Sequence, residues 1–455
     1  MRVDTCNLEF QASSQMNQQS DFKKSISLRK FPYPYRAGFT ICSDIDGTTF
    51  EDFVTIHSFL NSKENTPLGR GLGLELSDSF WFYSNRNTQD HAFCYFEEDN
   101  KTPSQYAPAI RELIKTGYID TLHSYGNFSK FGGFSRQLAE RCLEELDKHS
   151  LKLETWVNHG DEYNSQNIGS ASYQLGDKPV EFISATSNYH SDIMIDAGFT
   201  YFWDQETSLT KIIGQDRPFQ SHEAYFNNLL TPGFPDRFRM LAKFGLNRWK
   251  KDKIPLLQNN QLLNQIDLAD GNSLLHFKRY GSGRYDWSDD LPLLLHSKML
   301  TRLTEKEGSC ILYVHWGDRK NRNSPQPFSA ATVKAFEYLA SLFYSGKLWV
   351  TTTCKLLNNS FLVNEMDWNV KKNENGYEIN INGHSNHSFK QKIIQKNDLQ
   401  ELTFYTPKPE ATVIRFNDKM IATTINPKDE TGRQSITIPL KRLEFPTDII
   451  GNLKT

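Results

Sequence analysis

Apolar positions along the chain fall into a recurring unit, a helix followed by a short strand. Tyr106, Ile110, Leu113 and Ile114 share one helical face, and Gly117 suits the left-handed residue that ends such a helix. Residues 118–122 then form a strand ending at His123-Ser-Tyr-Gly126. The next unit sets Leu138, Cys142, Leu143 and Leu146 on a helix face, and its strand, 151–157, ends at Asn158-His159-Gly160. A later one carries Leu295, Met299, Leu300 and Leu303 before a strand over 310–314 that ends at His315-Trp-Gly317. A further helix over 329–344, with Ser329 as cap and Gly346 as stop, leads to a strand at 348–352. Two more strands are expected, at 38–42 before Ser43-Asp-Ile-Asp-Gly-Thr48 and at 200–203 after a helix near 192–197.

This alternation predicts an α/β fold with parallel strands and right-handed crossovers. Histidines delivered at the ends of three strands converge most simply in a βα barrel, while an open doubly wound sheet would also bring them to one edge. The pattern changes elsewhere. Residues 1–30 read as a polar N-terminal arm, with regular structure beginning near Tyr35. Residues 31–358 read as the barrel, with an Asn-, Gln- and Lys-rich, partly helical insertion near 204–275. Beyond about residue 360, short β-type runs at 377–381, 402–405, 412–416, 420–424 and 435–440 predict a C-terminal all-β, sandwich-like domain over 359–455.

Composition narrows the function classes. The 455 residues include 31 Phe, 19 Tyr and 8 Trp, enough to build a large core, so global disorder is excluded. Lys and Arg number 52 against 54 Asp and Glu, and this balance argues against a nucleic-acid partner. The apolar runs are too short to span a bilayer, so no transmembrane segment is expected. The N-terminus has no apolar leader stretch, and the six cysteines form no close pair, which together predict a reduced, cytoplasmic protein.

Asp44 and Asp46 follow a buried strand at positions i and i+2, which point to one side. Two carboxylates so placed suit a metal ligand paired with a general base. His123, His159 and His315 share one structural position, and imidazole is both a common ligand of zinc-like metals and a common acid–base group. A site of this kind takes a divalent transition metal such as Zn. Asn127, Asn158, Asp161, Asn164 and Asn167, with His190 and the rings of Trp203 and Trp316, suit contact with a carbohydrate substrate.

The ordered set Ser43-Asp-Ile-Asp-Gly47, His123-Ser-Tyr-Gly-Asn127 and Val314-His315 resembles the polysaccharide deacetylase superfamily (carbohydrate esterase 4-like). The resemblance covers about residues 36–355 and implies an irregular (β/α)7-type barrel. It implies that Asp46 and His123 bind metal and that His315 is the general acid. The family's base falls on Ile45, and Asp44, one residue earlier, is its substitute; the third ligand falls on Asn127, for which His159 of the next strand is the replacement. The implied activity is metal-dependent N-deacetylation of an N-acetylated sugar; with no leader stretch read in the sequence, the expected substrate is an intracellular sugar intermediate of surface polysaccharide biosynthesis. Asp44-Ile-Asp46-Gly-Thr48 also fits the first motif of haloacid-dehalogenase-like phosphatases, with Asp44 as nucleophile and Mg²⁺ bound. A glycoside hydrolase and a barrel that binds carbohydrate without turnover complete the alternatives.

Overall fold

The computed structural model describes residues 25–84, 92–128, 133–159, 164–170, 174–204, 261–280, 286–320, 323–385 and 392–446. They fall into two compact units, one of residues 37–357 with 443–446, the other of residues 25–36 with 358–442.

The strands in chain order are β1 (Ser27–Leu28), β2 (Ala37–Asp44), β3 (Asn65–Thr66), β4 (Gly69–Arg70), β5 (Asp78–Phe80), β6 (Ile119–His123), β7 (Thr155–Val157), β8 (Tyr201–Trp203), β9 (Leu263–Asp267), β10 (Ser273–Phe277), β11 (Ser309–His315) and β12 (Leu348–Val350). In the larger unit a six-stranded sheet runs in the order β5-β6-β7-β8-β10-β9, parallel except for β9, and a three-stranded parallel sheet runs β11-β2-β12. All eight residues of β2 are buried. Its place between two parallel partners explains why it shows no exposed polar alternation, since both faces and both edges are covered. At Tyr280, just past β10, the backbone bridges to Leu312 of β11 through two hydrogen bonds of 2.6 and 2.8 Å. A closed barrel is not found among the described residues: the two sheets stay separate ladders, joined by this bridge.

The helices form where the apolar period places them. In Ala107–Thr116 the buried residues are Ala107, Ala109, Ile110, Leu113 and Ile114, and Gly117 takes φ +81° at the stop. Arg136–Lys148 buries Ala139, Cys142 and Leu146. Ala330–Tyr344 begins at Ser329, whose hydroxyl accepts from the Thr332 amide at 3.2 Å. The expected strand 151–157 shortens to β7, because only Thr155–Val157 has ladder partners; Leu151 and Leu153 enter the core as an extended lead-in. The expected insertion near 204–275 ends in the β9–β10 hairpin, a part of the sheet, and its residues 205–260 lie outside the described residues.

The second unit holds β13 (Met366–Lys372), β14 (Tyr377–Ser385), β15 (Thr403–Tyr405), β16 (Thr412–Phe416), β17 (Lys419–Ile421), β18 (Thr424–Asn426) and β19 (Ser435–Thr437). They make two four-stranded sheets, β1-β15-β19-β18 and β13-β14-β16-β17, and Trp368 of one meets Phe404 of the other edge-on at 5.1 Å. The run expected at 420–424 divides into β17 and β18, which join different sheets. Regular structure is already present at Ser27, earlier than Tyr35, because β1 pairs antiparallel with β15. At the other end, Leu443 and Phe445 belong with the larger unit: the Leu443 amide donates to Glu75 Oε1 at 3.0 Å and Phe445 packs edge-on against Tyr118. No helix among the described residues is long and apolar enough to cross a membrane.

Candidate metal centre

The parallel strands bring their C-terminal ends to one place, where ligands bind in such sheets. Asp44 ends β2, His123 ends β6 and His315 ends β11, while Asp46 and His159 each lie two residues past a strand end, β2 and β7. Register sets Asp44 directly beside His315 across the β2–β11 ladder, as Cα partners. Gly317 lets the turn after β11 lie against the Asp46 loop: a Cβ there would stand 2.4 Å from Thr48 Cα.

Asp46 is the shared centre. Its Oδ1 lies 2.9 Å from His159 Nε2, and its Oδ2 lies 3.2 Å from His123 Nδ1 and 3.8 Å from His315 Nε2. The His123 and His159 rings stack with centroids 5.0 Å apart, with Trp81 against both. Both ring nitrogens of His123 and Asp46 Oδ2 are buried without a hydrogen bond. Buried polar atoms ordinarily find a partner, so orphaned donors and acceptors converging on one point mark a place for one. The donor set fits a divalent metal: Asp46, His123 and His159 offer ligand atoms all within 4.8 Å of one another.

Asp44 is held differently. Arg279 grips it with two hydrogen bonds, Nη1 to Oδ1 at 2.5 Å and Nη2 to Oδ2 at 3.1 Å. The guanidinium is fully buried, 3.6 Å from the Trp203 ring centroid and 4.3 Å from that of Tyr313. Burial on its own raises the Asp44 carboxyl, but the Arg279 charge, joined by His123, outweighs it and leaves the group lowered. For Asp46, too, burial is opposed, here by His159 and His123, which hold it well below the usual carboxylate range. His315 has Tyr313 OH 3.3 Å from Nε2 and Asp286 Oδ2 3.9 Å from Nδ1. Burial raises the Asp286 carboxyl, with His315 acting against it.

The remaining expected residues sit around this centre in other roles. Asn127 is buried in the loop after β6. Asn158 is committed to its own loop, accepting from Trp156 Nε1 at 2.8 Å and donating to the Ile168 carbonyl at 2.7 Å. Asn167 is buried in that loop, its carbonyl accepting from the Gly176 amide. His190 packs among the rings of Tyr125, Phe134 and Trp156, with Nε2 2.8 Å from the Gln166 carbonyl oxygen. Trp203 is the platform under Arg279, and Trp316 is fully buried against Phe328, Phe336 and His57. Asn164 lies in the His159 loop, donating to the His159 carbonyl, and Asp161 lies outside the described residues.

Sequence reasoning passed over Arg279, Tyr313, Asp286 and Ser124. Arg279 stands two residues beyond β10, a place like that of His159 after β7, and recognising β10 would have flagged it. Ser124 ties two site loops together: at φ +51° its hydroxyl accepts from the His159 amide at 2.8 Å, and its own amide donates to the Val157 carbonyl. Removing such outer support typically weakens metal binding 10- to 100-fold. Ser124→Ala is therefore expected to weaken Zn²⁺ binding by about 10-fold. Calorimetric titration checks this; an unchanged affinity would show the loop to be held without the hydroxyl.

A scan of known protein-family models and a search of curated proteins return no match to this chain. Its functional reading rests on the residues themselves.

Proposed function

We propose that the chain is a metal-dependent hydrolase of carbon–nitrogen bonds, a carbohydrate N-deacetylase. Its substrate would be an N-acetylated sugar of surface polysaccharide biosynthesis, handled in the cytoplasm. The observation that carries this reading is the convergence of Asp46, His123 and His159 on one point, with Asp44 and His315 beside it. The two sheets joined at Tyr280 are, in this reading, an opened variant of the barrel that the deacetylase resemblance implies.

Asp46, His123 and His159 would hold the ion, with zinc the best match to two imidazoles and a carboxylate. A bound divalent ion polarises an acyl carbonyl and acidifies water. Asp44, kept ionised by Arg279, takes the proton of the attacking water. The water oxygen bonds to the acyl carbon, the carbon–nitrogen bond breaks, and His315 gives its proton to the departing amine. Acetate and an amino sugar result. Trp287, 39% exposed and bridged to His315, is an aromatic face open to a sugar ring.

The test is metal content and acetate release on the purified protein. The expected result is about one zinc per chain, lost in His123→Ala, and zinc-dependent acetate release from free, nucleotide-linked or lipid-linked N-acetylated sugars. Phosphate release that needs Mg²⁺, with no transition metal bound, would replace the proposal with the phosphatase. Zinc bound without turnover of any such sugar would leave a carbohydrate-binding protein.

A further inference from the structure

The ligand atoms near Asp46 form two groups, not one. Asp46, His123 and His159 make the first; Asp44, Asp46 and His315 make the second, with its ligand atoms also within 4.8 Å of one another. Asp46 belongs to both, with Oδ1 turned to His159 and Oδ2 to His123 and His315. A carboxylate shared in this way is what paired-metal hydrolytic sites use to bridge two ions. The donors alone would therefore admit a second cation.

Only the second group already contains a cation. Arg279 occupies both oxygens of Asp44, and its Nη1 also donates to the Cys42 carbonyl at 3.2 Å. The guanidinium lies against the rings of Trp203 and Tyr313 and is fully buried. It cannot lose its proton as a lysine can, so its charge is permanent. A divalent ion on Asp44 would have to break the two-pronged pair and stand beside a trapped positive charge at low effective dielectric.

We infer that Arg279 fixes the metal count of this centre at one, filling with its own charge the place of a second ion in the Asp44–Asp46–His315 group. This rests on the metal-binding reading above. Arg279 is a positioning residue here: it leaves Asp44 free of metal, and so free to act as a base. The consequence for specificity is that the centre takes a single small divalent ion and rejects the paired-ion chemistry its donors would otherwise support.

The experiment is a Zn²⁺ titration of the full chain by calorimetry, with elemental analysis after gel filtration. The parent protein is expected to bind one zinc. Arg279→Met is expected to bind a second, at least about 100-fold tighter than any second zinc on the parent. Arg279→Lys, which keeps a charge, should stay at one, and adding Asp44→Asn to Arg279→Met should return the count to one. One zinc on Arg279→Met, or two on the parent, overturns the inference while leaving the metal centre standing. No zinc on the parent removes the metal centre itself, and the inference with it. Should Arg279→Met fail to fold, Asp44→Asn alone decides: an unchanged count with an affinity lowered by no more than about 10- to 100-fold, the cost of losing a neighbour of the ligand His123, supports the inference, and loss of the zinc makes Asp44 a ligand and overturns it.

Discussion

His315→Ala is expected to lower turnover by roughly 10²- to 10⁴-fold while the zinc content stays that of the parent protein. The placement of His315 separates these two readouts. It lies across the ladder from Asp44, with Nε2 at 3.8 Å from Asp46 Oδ2, and outside the Asp46–His123–His159 set. Asp286 lies beside its other nitrogen, and the backbone fixes that approach, since the His315 amide donates to the Asp286 carbonyl at 2.6 Å. A ring with a carboxylate behind it and the reacting atoms before it is oriented to give up a proton. Turnover and metal content measured on the same preparations check this. Turnover within a few-fold of the parent would remove the acid role, and a parallel loss of zinc would make His315 a ligand.

The second large effect is on stability and acid. His190 is fully buried, and burial lowers its pKa from the usual 6.5 to about 4, with only partial compensation from the Gln166 carbonyl. The unfolded chain therefore takes up a proton in a range where the folded one does not. Its contribution is complete above about pH 6.5 and is lost as pH falls toward 4, a change of about 3 kcal/mol. Asp44 and Asp46 act in a lower window. Their depressed carboxyls stabilise the fold above the usual carboxylate value near 4 and lose that contribution as pH drops further. His190→Gln keeps a donor for the Gln166 carbonyl and removes the titration. Between pH 6.5 and 4.5 it is expected to lose much less stability than the parent in urea unfolding followed by tryptophan fluorescence. An equal loss in both proteins would assign the acid sensitivity to other groups.

The sequence carried the parts of this molecule that depend on local pattern. The helix ending at Gly117, the helix capped by Ser329 and strand β2 stand where apolar spacing and end signals put them, because each is decided within one or two turns of chain. The convergence of Asp46, His123 and His159 was legible for a related reason. Strand ends in a parallel sheet share one edge, so residues far apart in sequence meet there. Arg279 was hidden because its strand follows a long polar stretch of weakly patterned sequence and itself has weak alternation, Ser-Leu-Leu-His-Phe. Its role is also set by two rings, Trp203 and Tyr313, that only the fold brings to it. The buried tasks of Asn158, Trp316 and His190 were hidden in the same way. A polar or aromatic residue near a strand end looks alike in sequence whether it faces a ligand or its own loop.

The pairing of β1 with β15, and the return of Leu443 and Phe445 to the larger unit, have a consequence for how the chain comes off the ribosome. Neither unit is a continuous stretch of sequence. Leu28 is made early and waits for Phe404, with most of the chain still to be translated, while Tyr118 and Glu75 wait for Leu443 across 325 and 368 residues. Domains made of one uninterrupted stretch can finish folding in order of synthesis. Here the larger unit keeps an uncovered patch until Leu443 and Phe445 are out, and β1, the edge of the smaller one, stands without its partner until β15 is made. The smaller unit is completed by strands up to residue 437 and the larger by Leu443 and Phe445 just after them, so chaperone dependence during synthesis should persist until residue 443 has cleared the exit tunnel.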